Sequence, residues 1–236
     1  MKANVKTAVM LVGGAGLRLR PLTDDMPKCM ILLQGKPLLY WTLSWLKQYG
    51  FKHVVLGVAY REEVVRKYVK ENPMVLDVDL SSHTVEGETG EGFRLAIKRY
   101  VTDEDFLAMN GDELTNLNLE KFAEFHLKQK PIATIAVSPM KSPFGILEIN
   151  GDDIVGFNEK PVLEDKLVST GIYMFNHRIL DYLPMRESME KTTFPILAKN
   201  KLLKAYRFGK SERWLTINSI KDLSIAEREF GNIRRR

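Results

Sequence analysis

At 236 residues, 44% hydrophobic and 28% charged, the chain has the length of one generous domain, or of one domain with a small appendage, and the composition of a soluble globular protein with a full core. Its one cysteine, Cys29, excludes an internal disulfide and a multi-cysteine zinc site and fits a reducing cytosol. The net charge of +5 is spread along the chain without zinc-finger spacing or an RNA-binding aromatic motif, so it suits small phosphate-bearing ligands better than nucleic acid.

Residues 8–12 form a short apolar run that predicts a buried first strand. Gly13, Gly14 and Gly16 follow at once. Glycine lets backbone N–H groups turn toward an anion and lets the anion approach without a Cβ in the way. Arg18 and Lys28 add two cations that can converge on the same loop, a combination suited to a phosphate chain. Two rival motifs fail. A G-x-G-x-x-G pattern begun at Gly14 meets Leu19 at its last position. A Walker loop fails because Gly35-Lys36 is followed by Pro37 and preceded five residues back by Met30.

Residues 37–49 open on proline, carry apolar residues at helical spacing and stop at Gly50, which predicts a helix. A strand over 53–58, a helix over about 61–71 and a strand over 75–80 continue the rhythm of a parallel sheet flanked by helices. A polar loop over 81–90 follows, with Thr89 as candidate cap of a helix over about 91–100. The next strand, 105–109, runs into Asn110-Gly111-Asp112. A carboxylate there lies at the strand ends where open α/β sheets bind ligands.

A helix over 119–130 and a strand over 132–137 precede a change to short strands. Residues 145–149 and 154–157, around a turn at Asn150-Gly151-Asp152, predict a hairpin. Asn158-Glu159-Lys160-Pro161, a strand over 169–175, a short helix over 177–183, a strand over 201–208 and a closing helix to about 230 complete the chain. His53, His83, His126 and His177 show no partner pattern for catalysis or metal binding and read as structural. Arg234-Arg235-Arg236 reads as a solvated tail. No apolar run reaches membrane-spanning length and Met1-Lys2-Ala3 begins no apolar leader, which predicts a cytoplasmic protein.

The stretch Leu11-Val12-Gly13-Gly14-Ala15-Gly16-Leu17-Arg18-Leu19-Arg20-Pro21-Leu22-Thr23, closed by Met26-Pro27-Lys28, resembles the signature of the sugar nucleotidyltransferases, L-A-G-G-x-G-T-R-L-x-P-L-T…P-K-P. It departs at Leu17, where the family usually has Thr, and at Cys29, where it usually has Pro. Thr89-Gly90 before a helix is similar to the family's G-T-[AG]-G-A-L, with Glu88 and Glu91 where glycines are usual. Asn110-Gly111-Asp112 resembles its N-G-D, and the order Gly145…Phe157-Asn158-Glu159-Lys160-Pro161…Thr170-Gly171-Ile172-Tyr173 resembles its sugar half. Trp214-Leu215-Thr216-Ile217-Asn218 looks like W-x-D-I-G, with Thr216 where a second metal-binding carboxylate usually sits and Asn218, whose amide oxygen could also approach a metal if the loop shifts, where glycine is usual. The resemblance runs from residue 7 to about 229.

What this resemblance implies is a three-layer α/β/α Rossmann-like sandwich with a mixed sheet and a small β-rich lobe from about residue 144. Residues 1–236 would be one domain, with a nucleotide half over 1–140 and a sugar half over 141–236. The implied reaction joins a nucleoside triphosphate and a sugar 1-phosphate with release of pyrophosphate. Leu11, Gly13, Gly14, Gly16, Thr89 and Gly90 would hold the nucleotide, with Arg18 and Lys28 on its phosphates. Asp112 and Thr216 would hold Mg2+, while Gly145, Glu159, Lys160 and Thr170 would line the sugar-phosphate pocket. Length and Thr89-Gly90 look most like the mannose- or heptose-1-phosphate guanylyltransferases. Neither nucleic acid nor membrane is implied as a partner, and assembly of identical chains is left open. Two other classes stay open: a silent nucleotide-sugar-binding paralogue, which Thr216 favours, and a cytidylyltransferase for a non-sugar alcohol phosphate.

Overall fold

The computed structural model describes residues 5–73 and 76–234. Strand β1 (Thr7–Leu11) leads through the glycine loop and a small pair, β2 (Leu32–Leu33) and β3 (Lys36–Pro37), into helix α1 (Leu38–Gln48). Next come β4 (His53–Val58), α2 (Glu62–Glu71), β5 (Asp77–Ser82), α3 (Glu88–Tyr100), β6 (Asp105–Asn110) and β7 (Glu113–Thr115). Helix α4 (Leu119–Gln129) precedes β8 (Ala133–Lys141), the hairpin β9 (Ile146–Asn150) and β10 (Asp153–Asn158), and the long strand β11 (Val162–Asn176). The chain closes with α5 (Thr193–Lys199), β12 (Leu203–Arg207), β13 (Trp214–Thr216) and α6 (Ile220–Arg234).

Seven strands make one mixed sheet in the order β12-β8-β11-β6-β1-β4-β5. β1, β4, β5 and β6 are mutually parallel, and β11 runs antiparallel to both of its neighbours. The parallel strands are apolar runs because helices cover both of their faces. Ala8 and Met10 point into one layer with Leu39, Leu43, Val65 and Phe122 of α1, α2 and α4. Val9, one residue between them, points into the other with Phe93 and Ile97 of α3 and Leu197 of α5. A third cluster lies where α6 packs Ala226 and Ile233 against Leu19, Leu33 and Leu114. The three-layer mixed-sheet expectation holds.

Several boundaries differ from the sequence reading. The strand expected from residue 75 begins at Asp77, and residue 75 itself lies outside the described residues, as do Met1-Lys2-Ala3 and Arg235-Arg236. The loop expected to reach Gly90 ends earlier, in a 3-10 turn over Val85–Gly87, and α3 starts at Glu88. Thr89 is therefore no cap. It lies in the first turn of α3, where its hydroxyl donates to Glu190 at 2.6 Å and accepts from the Met189 N–H. β11 begins seven residues early, because Val162 and Leu163 pair with the end of β8 on an exposed arm whose charged residues hide the strand pattern. Residues 177–181 form a 3-10 turn instead of an α-helix, and α5 and the β7–β13 pair were not anticipated.

Candidate active site

The C-terminal ends of β1, β4, β5 and β6 meet at one edge, and a cleft of about 760 Å³ opens there. Its floor is the loop after β1. Carbonyls of that loop face the protein body. Gly13 O accepts from Tyr60 N at 3.1 Å, and Gly16 O accepts from Leu19 N at 2.8 Å and Thr23 Oγ1 at 2.9 Å. A glycine loop whose carbonyls are engaged elsewhere can turn its N–H groups toward an anion. Glycine is required at two places. Gly16 sits at φ +61°, and a Cβ on Gly13 would lie 2.7 Å from Ala59.

Lys28 enters from the turn that follows. It is 9% exposed, and its ammonium pairs with Asp112 and donates to Asn218 Oδ1 at 2.7 Å. Asp112 comes from the turn after β6, and Asn218 from the turn between β13 and α6. Asp112 also fixes that second turn, since its carbonyl accepts from Ile217 N at 3.2 Å. Asp222 holds the turn from the other side, accepting from Asn218 N at 3.0 Å and Ser219 Oγ at 2.9 Å. Two oxygens, one charged and one neutral, thus converge on a point that the Lys28 ammonium fills. Hard oxygen donors around a cation are what magnesium takes, so this set fits that ion. Among the described residues no group of three or more His, Cys, Asp and Glu side chains could hold a metal.

The cleft brings together Leu11, Gly13, Gly14, Gly16, Arg18, Lys28, Thr89 and Asp112 from the sequence reading. Gly90 is turned away. Its N–H donates to Glu187 O at 3.0 Å, and a Cβ there would lie 2.2 Å from that carbonyl, so Gly90 serves packing. Thr216 is displaced too. Its hydroxyl accepts from Asn218 Nδ2 at 2.9 Å, and Glu113 is its direct partner across the β7–β13 pair. It therefore orients Asn218 instead of offering an oxygen at the Asp112–Lys28 pair.

Gly145, Glu159 and Lys160 do not line the cleft. Glu159 and Lys160 are exposed and pair with each other at 2.6 Å, with Lys160 at φ +49°. Thr170 is fully buried and donates to Ala136 O at 2.8 Å where a bulge interrupts β11.

Asn218, whose amide oxygen the sequence reading allowed near a metal, meets the Lys28 ammonium. Two neighbours of the site were missed by sequence reasoning. His83, read as structural, lines the cleft; its Nδ1 lies 2.9 Å from the Thr84 carbonyl, and its Nε2 is buried without a partner. Glu113 is buried beside Asp112 and accepts from Trp214 Nε1 at 2.6 Å. Burial, with the Asp112 charge next to it, pushes the Glu113 carboxyl well above the usual carboxylate range. His126 keeps its structural reading, buried between Thr134 Oγ1 at 2.8 Å and Asp105 Oδ1 at 3.1 Å.

The family model described as Nucleotidyl transferase matches residues 7–231. The chain belongs to that family. Mannose-1-phosphate guanylyltransferase catalytic subunit beta of Xenopus tropicalis is 31% identical to it over 224 residues, which cover 91% of this chain and 62% of that protein. Mannose-1-phosphate guanyltransferase of Yarrowia lipolytica is 32% identical over 223 residues, covering 91% and 61%. The nucleotidyl transferase chain thus spans about three fifths of the length of these relatives. Among solved structures, HddC from Yersinia pseudotuberculosis superposes with a TM-score of 0.75 at 26% identity, covering 96% of this chain and all of that one. A crystal structure of the same HddC complexed with GMP-PN gives 0.74 at 25% identity, with the same coverage.

Proposed function

We propose that the chain is a nucleotidyltransferase that joins a nucleoside triphosphate to a sugar 1-phosphate, giving a nucleotide sugar and pyrophosphate. The observation that carries this reading is the convergence of Lys28, Asp112 and Asn218 at the mouth of a glycine-loop cleft large enough for a nucleotide. The GMP-PN complex of HddC and the mannose-1-phosphate guanylyltransferase relatives support GTP with a mannose- or heptose-type phosphate as the first pair to test.

In the proposed reaction a phosphate oxygen of the sugar 1-phosphate forms a bond to the α-phosphorus. The bond from that phosphorus to the bridging oxygen breaks in line, and pyrophosphate leaves. No covalent protein intermediate is needed, so the chain supplies position and charge. N–H groups of the loop at Gly13, Gly14 and Gly16, with Arg18, hold the triphosphate. Leu11 and Thr89 bound the nucleoside side of the cleft. Lys28 moves from Asp112 to the phosphates when they arrive. Asp112 and the Asn218 amide oxygen are then free to hold Mg2+, which when bound neutralises phosphate charge. Gly145, Glu159 and Lys160 meet the sugar phosphate from the hairpin side. On this reading residues 1–140 serve the nucleotide and 141–236 the sugar phosphate, in a cytoplasmic setting that the single cysteine suits.

The test is pyrophosphate release and nucleotide-sugar formation across four nucleoside triphosphates and a panel of sugar 1-phosphates, with Asp112→Ala as control. GTP with a mannose- or heptose-type phosphate is expected to turn over, and Asp112→Ala to abolish it. Tight nucleotide binding with no product from any pair would establish a silent binding protein instead.

A further inference from the structure

Over residues 14–25 the loop after β1 arches away from the body, and only Leu19 and Thr23 within it are buried. A segment with so few buried contacts opens easily. Yet this one has to keep Gly16 at φ +61° and Arg18 at the cleft. Its two ends meet on the turn after β4. Tyr60 N donates to Gly13 O at 3.1 Å at the first end. At the second, the Tyr60 hydroxyl lies 2.8 Å from Asp24 O and 3.1 Å from Thr23 O, one proton shared between two carbonyls. Thr23 carries the contact inward. It is fully buried, its Oγ1 donates to Gly16 O at 2.9 Å, and its methyl fills the space that a Cβ on Gly16 would enter. A line of hydrogen bonds therefore leads from Tyr60 through Thr23 to the left-handed residue two before Arg18.

We propose that Tyr60 is a positioning residue of the phosphate site: its hydroxyl fastens the loop to the end of β4 and, through Thr23, sets Gly16 and Arg18 where a phosphate chain meets them. Tyr60 does not line the cleft, so it acts through the loop and not on the ligand. The phosphate end of this role rests on the nucleotidyltransferase reading, whereas the clamp is a property of the free chain.

Other contacts at this turn hold less. Arg61, at φ +49°, lays its guanidinium 6.0 Å from the Tyr60 ring centre and reaches Asp25 Oδ1 and Asp24 O, each at 3.5 Å. An exposed ion pair contributes little, and a hydrogen bond of that length is weak. The hydroxyl is the stronger hold. Asp24 is exposed, so water replaces a lost bond there at small cost to the fold. What is lost is the position of the arch.

The experiment removes the hydroxyl and keeps the ring and the backbone bond, with Tyr60→Phe. Tm is expected to shift little. Affinities for inorganic tripolyphosphate and for GTP, by titration calorimetry, are expected to weaken together by about fivefold, the worth of one hydrogen bond. KM for the sugar 1-phosphate should stay as it is. Thr23→Val breaks the next bond in the line and should weaken both affinities alike, and the double variant should be little worse than either single one. Amide exchange in the ligand-free Tyr60→Phe chain is expected to quicken over residues 16–24 and to hold in β1 and β4. Wild-type affinities in Tyr60→Phe overturn the proposal, whether Tm falls or not. So do unchanged exchange in the arch, or losses that add in the double variant. A wild type that binds neither tripolyphosphate nor GTP overturns the nucleotidyltransferase reading and the phosphate role together, and the exchange rates still decide the clamp.

Discussion

At the sheet edge, separate elements bring Gly13, Lys28, Asp112 and Asn218 to one point, whereas Gly145, Glu159 and Lys160 ride on one exposed ribbon. The first region draws its order from the core. β1 and β6 are buried on both faces, so the turns that leave them cannot drift, and each polar group placed there meets another. The second region has no core of its own beneath it. Glu159 and Lys160 pair with each other at 2.6 Å, both half-exposed, with the Glu159 carboxylate close to Gly145 and the Phe157 ring. The difference teaches that the cleft is organised in advance by the core, while the exposed ribbon and the segment after it have no such support.

The sharpest way to break this comparison is Lys28→Ala. If the cluster is poised for the triphosphate, the variant loses a buried cation positioned for charge that develops on the leaving pyrophosphate. Removing such a donor typically costs ~3 kcal/mol, so turnover should fall by about a hundredfold or more. Melting temperature should shift little, because Asp112 is partly solvated and keeps water in place of the ammonium. Steady-state kinetics with a thermal melt checks both. Near-normal turnover would remove Lys28 from the reaction and with it the case for advance organisation.

Glu159→Gln probes the other region. A hydrogen bond to a charged group is worth ~1.5 kcal/mol, so KM for the sugar phosphate should rise about tenfold while nucleotide affinity stays within twofold. Titration calorimetry with each ligand separates the two. Equal losses would mean that the ribbon and the cleft are one site.

Legibility in the sequence followed the same division. The glycine loop, Arg18, Lys28 and Asp112 were readable because each stands in a short local pattern beside a strand whose apolar run announces it. Gly90 could be placed only in three dimensions, because a glycine needed for close packing against Glu187 and one needed for a ligand look alike in one dimension. Asn218 was readable as a departure from the motif, but the contact of its amide oxygen with Lys28 depends on the β7–β13 pairing and on Asp222, neither of which leaves a periodic trace. The hairpin itself was readable from two short apolar strands around the Asn150-Gly151-Asp152 turn. That its apolar residues stay exposed is a three-dimensional fact, and no spacing encodes it.

Asn218→Asp sharpens the account of the metal. It adds charge to the oxygen that already faces the Asp112–Lys28 pair, so the free magnesium giving half-maximal turnover should drop about fivefold, and Mn2+ binding without nucleotide should tighten alike. Thr216→Asp should not have this effect. Its new carboxylate would lie against Glu113, across the strand pair. The opposite ranking of the two variants would restore position 216 as the ligand.

The smallest expected effect lies beneath the cleft, at Glu113. Burial and the nearby Asp112 charge raise its folded-state pKa above the unfolded value. The folded chain therefore holds this proton more tightly than the unfolded chain does. The stabilisation is complete below the ordinary carboxylate pKa of about 4.3 and is lost as pH rises through the raised value. Glu113→Gln cannot ionise and can still accept from Trp214 Nε1, so it keeps what the wild type loses. The two proteins should melt together near pH 4, and the variant should gain upward from there, reaching roughly 2–4 °C at pH 8, which is what ~1 kcal/mol is worth in a domain of this size. A variant less stable than the wild type at every pH would mean that Glu113 is ionised in the folded chain and held by Lys28. The ammonium would then serve a second buried carboxylate, and the advance organisation of the cleft would extend one layer deeper than Asp112 and Asn218.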